Sequence, residues 1–440
     1  MGEVGHIERK RLRSITILLG LIWLLSVNAS AQSLEEAVQQ TLLTNPNIQT
    51  SEFNLQAATA LRRQAFAGFL PSVDVVFARG LEESDNTTTR ATELVNQRFD
   101  RYERSLVLNQ MVYDGFGTSN YVKQQDAVMA ATAARVATTR ENTSLQVAQA
   151  YLEVLRTDQL VVLSKQNLVQ HEETLSKIEE RFEGGVGTKV DVVQTKGRQA
   201  QSKSSMLLSQ KDAQNSRAQF YRVVGESAVD LVLPSRPITL PETLEAAVQR
   251  AFQKNPQVEA AQADLEAARA ARKQILGAFQ PRVDLTLGAT RNDNMDGSPG
   301  PNDDQTAVLR MSYNLYRGGA DKARLTEAVA RISSAEQGLI ALRRSITKDV
   351  SLLWNDIEDL GLRLEYLQVH VTATEEVLEV YLEQLAIGKR TLLDVLDIQN
   401  ELFRARSGLV SAEFQLRIAE FRLLATGGQF LESLGLSARS

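Results

Sequence analysis

Residues 350–385 read VSLLWNDIEDLGLRLEYLQVHVTATEEVLEVYLEQL, and every seventh one is apolar: Val350, Ile357, Leu364, Val371, Leu378 and Leu385. The same ladder stands 203 residues earlier, at Val147, Val154, Val161, Leu168, Leu175 and Phe182. A strict seven-residue step drifts around a straight helix. Such a stripe stays buried only if neighbouring helices coil about one another. Chain breakers are sparse upstream, which predicts long helices over residues 119–183 and 321–386. Each would have roughly 65 residues and run about 100 Å at 1.5 Å per residue. That is too long for an ordinary globular core. A plain coiled-coil dimer would need one such ladder, not two preceded by strands.

A second internal match surrounds the first. Leu34, Glu35, Ala37, Asn45, Pro46, Phe69, Pro71 and Asp74 recur as Leu244, Glu245, Ala247, Asn255, Pro256, Phe279, Pro281 and Asp284, an offset of 210. Two copies of one unit therefore make the fold. The offset falls from 210 to 203 between the strands, so the first copy's strand-linking loop is longer by 7 residues. Ser33-Leu34-Glu35-Glu36 is a capping box that opens a short helix. Asn45-Pro46 ends it and starts the next, with Asn as N-cap and Pro at the first helical position.

After each proline comes an alternating segment. Val283, Leu285, Leu287 and Ala289 share one face; Asp284, Thr286, Gly288 and Thr290 share the other. A polar loop is expected over residues 292–304, then a partner strand with Ala307, Leu309, Met311, Tyr313 and Leu315 on one face. In the first copy Val73, Val75 and Phe77 are answered by Leu106, Leu108 and Val112, with Gln110 interrupting the face and Arg79 at the rim. Tyr113 and Tyr316 fall where interfacial aromatics would sit. Strands are expected at residues 72–80, 104–113, 282–290 and 306–316. Their length suits a tilted membrane strand, and one polar face suits a wet lumen. Two hairpins cannot close a barrel, so several chains must share it. The competing reading is a sheet with one face on a soluble core.

Gly115 and the pair Gly318-Gly319 mark the corners from strand to long helix. Gly185, Gly187 and Gly388 mark tight turns at the far ends of the long helices, and return helices are expected over residues 189–223 and 391–424. The chain thus parses into residues 1–31, a first repeat over 32–225, a linker and equatorial region over 226–242, a second repeat over 243–428 and a tail over 429–440. In the first segment Arg9, Lys10, Arg11 and Arg13 precede an apolar run of about 11 residues, too short to span a bilayer. Ala29-Ser30-Ala31 follows, so the segment reads as a secretory signal. With Glu3 and Glu8 it carries +2, and its removal takes the net charge from −5 to −7.

Composition excludes other classes. The net charge of −5 gives no basic stripe for nucleic acid. There is no cysteine, hence no disulfide and no lipid-modified N-terminal cysteine. His6, His171 and His370 have no metal-ligand spacing, and the glycines at 184–187 lack the lysine of a phosphate loop. No nucleophile motif is present, so no enzyme, cofactor or metal is expected.

This double unit resembles the TolC family of outer-membrane export channels over nearly all of residues 32–440. The run Gly388-Lys389-Arg390-Thr391-Leu392-Leu393-Asp394-Val395-Leu396-Asp397 carries most of the resemblance, and Leu315-Tyr316-Arg317-Gly318-Gly319 carries the next share. The resemblance implies a mostly α protein with membrane β. Three chains would give four strands each to one barrel, continued across the periplasm by an α-helical coiled-coil barrel. It implies an entrance ringed by Asp394 and Asp397, and a latch between coiled coils made by Arg390 and Asp191. Leu385 stands where some members have a latching tyrosine. The turns at Gly185, Gly187, Gly388 and Thr391 would contact the adaptor. As partners it implies a homotrimer, a periplasmic adaptor, an inner-membrane ABC or RND transporter, and outer-membrane lipid. The run over residues 393–403 looks most like members that serve type I protein secretion. Members that serve drug efflux often carry the lipid-modified cysteine that is absent here. The alternatives are an efflux-pump channel and a periplasmic adaptor-like coiled coil. For the aspartates the plainer reading is helix-start carboxylates favoured by the macrodipole.

Overall fold

The computed structural model describes residues 32–235 and 240–437. The signal segment over residues 1–31, the centre of the linker and the last three residues of the tail lie outside the described residues. In chain order the elements are α1 Leu34–Thr44, α2 Pro46–Ala67, β1 Ser72–Glu83, α3 Thr87–Ala91 and β2 Arg98–Tyr113. Then come α4 Gly117–Glu183, α5 Lys189–Val224, α6 Leu244–Lys254, α7 Pro256–Leu276, β3 Arg282–Met295 and β4 Ser298–Ser312. The chain ends with α8 Ala320–Ala386, α9 Leu392–Thr426 and the short α10 Phe430–Ser433. No described helix is long and apolar enough to cross a membrane.

Local chemistry explains the ends of these helices. The Ser33 N–H donates to Glu36 at 3.0 Å and the Glu36 N–H donates to the Ser33 hydroxyl at 3.2 Å, a reciprocal cap. Asn45 and Asn255 each accept from the backbone N–H two residues on, at 2.9 and 2.7 Å. Both α4 and α8 are 67 residues long.

The residues group into two compact units, and neither coincides with a sequence repeat. Among the described residues the first comprises 32–41, 146–235 and Tyr366–Phe414; the second comprises Leu42–Leu145, 240–365 and 415–437. In the first, Val371 and Leu378 of α8 pack on Val395, Leu402 and Ala405 of α9. These are the ladder residues meeting the return helix. Tyr151, fully buried, ties down two strands of coil there. Its hydroxyl lies 2.7 Å from the Gln32 carbonyl and 2.6 Å from the Val232 carbonyl, and accepts from the Val232 N–H at 2.9 Å.

In the second unit, Ala247 and Ala251 of α6 and Val258 of α7 close a core with Ile346, Val350, Leu353 and Leu423. The same unit holds an antiparallel four-stranded sheet in the order β1-β2-β3-β4. Its register carries one apolar row across all four strands: Val73, Leu108, Leu287 and Ala307. Val73, Val75, Phe77, Leu309 and Met311 are exposed. Among the described residues neither β1 nor β4 has a partner on its outer edge.

Two expectations about the strands need correction. Residues 292–304 do not form a loop: Asn292 pairs with Asn302 and Thr290 with Asp304, and the hairpin turns at Asp296-Gly297 with φ of 54° and 74°. The polar residues there are strand because backbone pairing, and not alternating hydrophobicity, holds them. β4 also ends at Ser312, so Tyr316, 82% exposed, lies beyond the sheet. Tyr113 does end β2, beside a bulge after Met111. The first hairpin is linked by the longer loop containing α3, which Asn86 caps.

Glu141 is buried and its carboxylate accepts the Leu431 N–H at 3.4 Å. Burial, opposed by these backbone hydrogen bonds, pushes its pKa up to about 7. A carboxylate raised in the folded state favours folding below its unfolded pKa, and that contribution is lost as pH rises to about 7. Glu141→Gln should therefore flatten the decline in melting temperature between pH 4.5 and 7. Thermal denaturation of the purified protein across that range checks it; an unchanged slope would remove Glu141 as its source.

Candidate functional site

The two turns that join long helix to return helix are built alike. At the first, the Gly185 N–H reaches the Phe182 carbonyl at 3.0 Å and the Val186 N–H reaches Arg181 at 2.9 Å. At the second, Gly388 reaches Leu385 at 3.1 Å and Lys389 reaches Gln384 at 2.9 Å. Both are Schellman closures with the glycine in the left-handed region, at φ 78° and 76°. Three residues on, Thr188 and Thr391 start the return helices. Thr188 and Asp191 form a reciprocal cap, and so do Thr391 and Asp394. The hydroxyls donate to the carboxylates at 2.8 and 2.7 Å.

The structure therefore gives Asp191 and Asp394 the same local task. Asp394 is held below the usual aspartate range by its hydrogen bonds from Thr391, with the Arg390 charge adding to them. Asp397, one turn on, is 58% exposed in its side chain and pairs with Arg198 of α5 at 2.7 Å. Asp394 and Asp397 thus stand on the first two turns of α9, one capping and one paired across to α5.

Arg390 and Asp191 are not paired with each other within the chain. The Arg390 guanidinium stacks over the Tyr381 ring at 3.9 Å and lies 3.9 Å from Asp394. Such stacking holds a guanidinium in place when the ring is half-buried. The first turn has nothing like it, because Gly187 and Ile178 occupy the matching positions. Leu385 and Val192 pack against the cluster of Ile178, Leu392 and Leu396, and the Leu385 carbonyl accepts from Arg181 at 3.0 Å, joining the two turns. Gly115, Gly318 and Gly319, the strand corners, have φ of 64°, 64° and 84°. At Gly115 a Cβ would collide with the Gln280 side chain and the Gly277 carbonyl, so only glycine fits.

Behind the turns the helical core contains polar side chains. Asn167 donates to Ser202 at 2.9 Å and Gln399 donates to Thr174 at 3.0 Å, all buried. His171 is fully buried, and burial, with the Arg198 charge second, keeps its pKa below the ordinary histidine value. Sequence reasoning missed Arg198, Arg181 and Tyr381. Tyr381 left a signal, an aromatic nine residues before Arg390 on the same helical hairpin. The two arginines left none, because their partners are some 200 residues away. No cluster among the described residues could hold a metal ion.

The protein family described as "Outer membrane efflux protein" matches residues 37–226 and 247–429. The outer membrane efflux protein BepC of Brucella suis biovar 1 is 27% identical over 332 residues, covering 75% of this chain and 73% of the relative. The alkaline protease secretion protein AprF of Pseudomonas aeruginosa is 22% identical, covering 93% and 88%. Among solved structures, the outer membrane protein VceC of Vibrio cholerae superposes with a TM-score of 0.78 at 20% identity, over 90% of this chain and 96% of that one.

Asp394→Asn with Asp397→Asn keeps an oxygen acceptor for the Thr391 cap while removing both charges. Single-channel recordings in planar bilayers should then show block by divalent cations abolished. In the wild type, block should survive into acid below about pH 3.9, where an ordinary aspartate protonates, and vanish only as pH falls through the depressed pKa of Asp394. Undiminished block in the double variant would remove these residues from the entrance.

Proposed function

The chain belongs to the outer membrane efflux protein family, and on that footing we propose that it is the exit duct of a type I protein secretion system. It is a channel and not an enzyme. It resides in the bacterial outer membrane, with its helical part in the periplasm. It is mostly α with membrane β, a trimeric barrel of four strands per chain continued by an α-helical barrel. The observation that carries the channel reading is the sheet itself. Its apolar face is exposed and both its edges lack partners. In lipid an unpaired backbone edge is prohibitively unfavourable, so copies must join edge to edge into a closed ring.

The cargo assignment rests on other support. AprF, named for alkaline protease secretion, matches 93% of the chain. The chain also lacks the cysteine that a lipid-anchored channel would need. In this reading a periplasmic adaptor couples the channel to an inner-membrane ABC transporter, which supplies the energy. The adaptor engages the turns at Gly185, Gly187, Gly388 and Thr391. Asp394 and Asp397 from three chains line the entrance, where their like charges repel one another and favour an open mouth. Arg390 and Asp191 latch adjacent coiled coils, and the latch must first draw Arg390 off Tyr381. A second reading, a small-molecule efflux channel, is favoured by BepC, an efflux protein that is 27% identical.

Deletion of the gene should remove one or a few proteins from the culture medium, quantified by mass spectrometry, and leave drug susceptibility unchanged. A hypersensitive strain with an intact set of secreted proteins would replace the first reading with the second.

A further inference from the structure

The apolar face of the sheet ends in two arginines. Along β3 its positions run Val283, Leu285, Leu287, Ala289 and then Arg291; along β2, away from the helices, they run Leu108, Leu106 and then Arg104. Tyr102 pairs with Asp293 and Ser105 with Thr290, a register that sets Arg104 directly across from Arg291. Phe77 faces Arg104 from β1, and Asp303 faces Arg291 from β4. One row therefore crosses the sheet as Phe77, Arg104, Arg291, Asp303.

Like charges directly opposite on a ladder repel. Little in the chain relieves this. Arg104 is exposed, and among the described residues no carboxylate pairs with it. Arg291 reaches Asp303 only at 3.9 Å, with 74% of its side chain exposed. Arg79, one row further out, is already stacked on Tyr102 at 5.0 Å and sits 3.9 Å from Asp100. Two guanidinium groups thus share one loosely held carboxylate.

Their height is informative. From Val283 to Arg291 the strand runs about 26 Å at 3.3 Å per residue, or roughly 20 Å of height once it is tilted by about 35–45°. The apolar band of an outer-membrane barrel is about 25 Å tall. The arginine backbones therefore lie about 5 Å below the top of such a band, and their long side chains reach up to the headgroups, on the side away from the helices, which is the outer leaflet. Beside and beneath them Phe77, Val75 and Leu106 are exposed apolar surface.

We propose that Arg104 and Arg291 together bind the headgroup of an outer-leaflet lipid carrying a phosphomonoester, whose acyl chains lie on Phe77, Val75 and Leu106. Guanidinium and phosphate match in geometry, with paired N–H donors meeting paired oxygens. A monoester carries nearly two negative charges, against one for a phosphodiester, and so answers two adjacent arginines. The proposal rests on the apolar face lying in lipid.

The test is native mass spectrometry of the purified trimer in detergent. Three probes are added: lipid A with its phosphomonoesters, the same lipid A after enzymatic removal of phosphate, and phosphatidylglycerol. The wild type should retain phosphorylated lipid A about tenfold better than either other lipid, and Arg104→Gln with Arg291→Gln should erase that preference. Arg310→Gln, on the opposite face, should leave it intact. If the double variant does not trimerise, Arg104→Gln alone is read in the same way. Equal retention of all three lipids, a preference for phosphatidylglycerol, or an unaltered preference in the variant would overturn the proposal. Retention of none of them would also count against the lipid-facing assignment of the sheet.

Discussion

A β-sheet in hydrocarbon cannot leave an edge open. β1 and β4 each present a row of N–H and C=O groups with no partner in their own chain, and lipid offers them none. Closure by further copies follows from that single deficit. The alternation of Val73, Val75 and Phe77 with Asp74 is the other half of the same constraint, because a closed ring has a lipid side and a wet side. The long helices inherit the arrangement, since each is joined covalently to a strand through a glycine corner.

The helical turns show how a duplicated sequence can keep its skeleton while its surface diverges. Gly185 and Gly388 close their helices by the same hydrogen bonds, and Thr188 with Asp191 caps as Thr391 with Asp394 does. These are local solutions to unsatisfied backbone groups, and each repeat needs one. The divergence lies beside them. Only the second turn carries the arginine and the tyrosine beneath it, and only the second return helix carries Asp397. Such differences give the two turns different charges beside the same cap.

Buried polar groups stand among the apolar residues of both units. His171, Asn167 and Gln399 sit among apolar ladder residues in one unit, and Glu141 grips the α10 backbone in the other. Asn167 and Gln399 exchange apolar contacts for hydrogen bonds to Ser202 and Thr174, whereas both ring nitrogens of buried His171 have no hydrogen-bond partner among the described residues.

Much of the architecture was legible in sequence because it is periodic or local. The seven-residue ladders marked both long helices. Asn-Pro marked two helix starts, and the glycines marked the corners and turns. The strand faces were legible wherever one side meets lipid, and they became illegible beyond it. Residues 292–304 are polar on both faces there and read as a loop, although pairing with neighbours makes them strand. At the turns, the sequence pointed to Asp394 and Asp191 by their places in a family motif, with helix-start carboxylates as the plainer reading. It was the folded chain that put Arg198 against Asp397, Arg181 against the Leu385 carbonyl and Tyr381 under Arg390. What the sequence determined by itself was the set of elements, because hydrogen bonding within a helix and alternation along a strand depend on near neighbours. Which charges meet, and which strand edges stay open, only the tertiary structure decided, because those contacts join residues that no local rule connects.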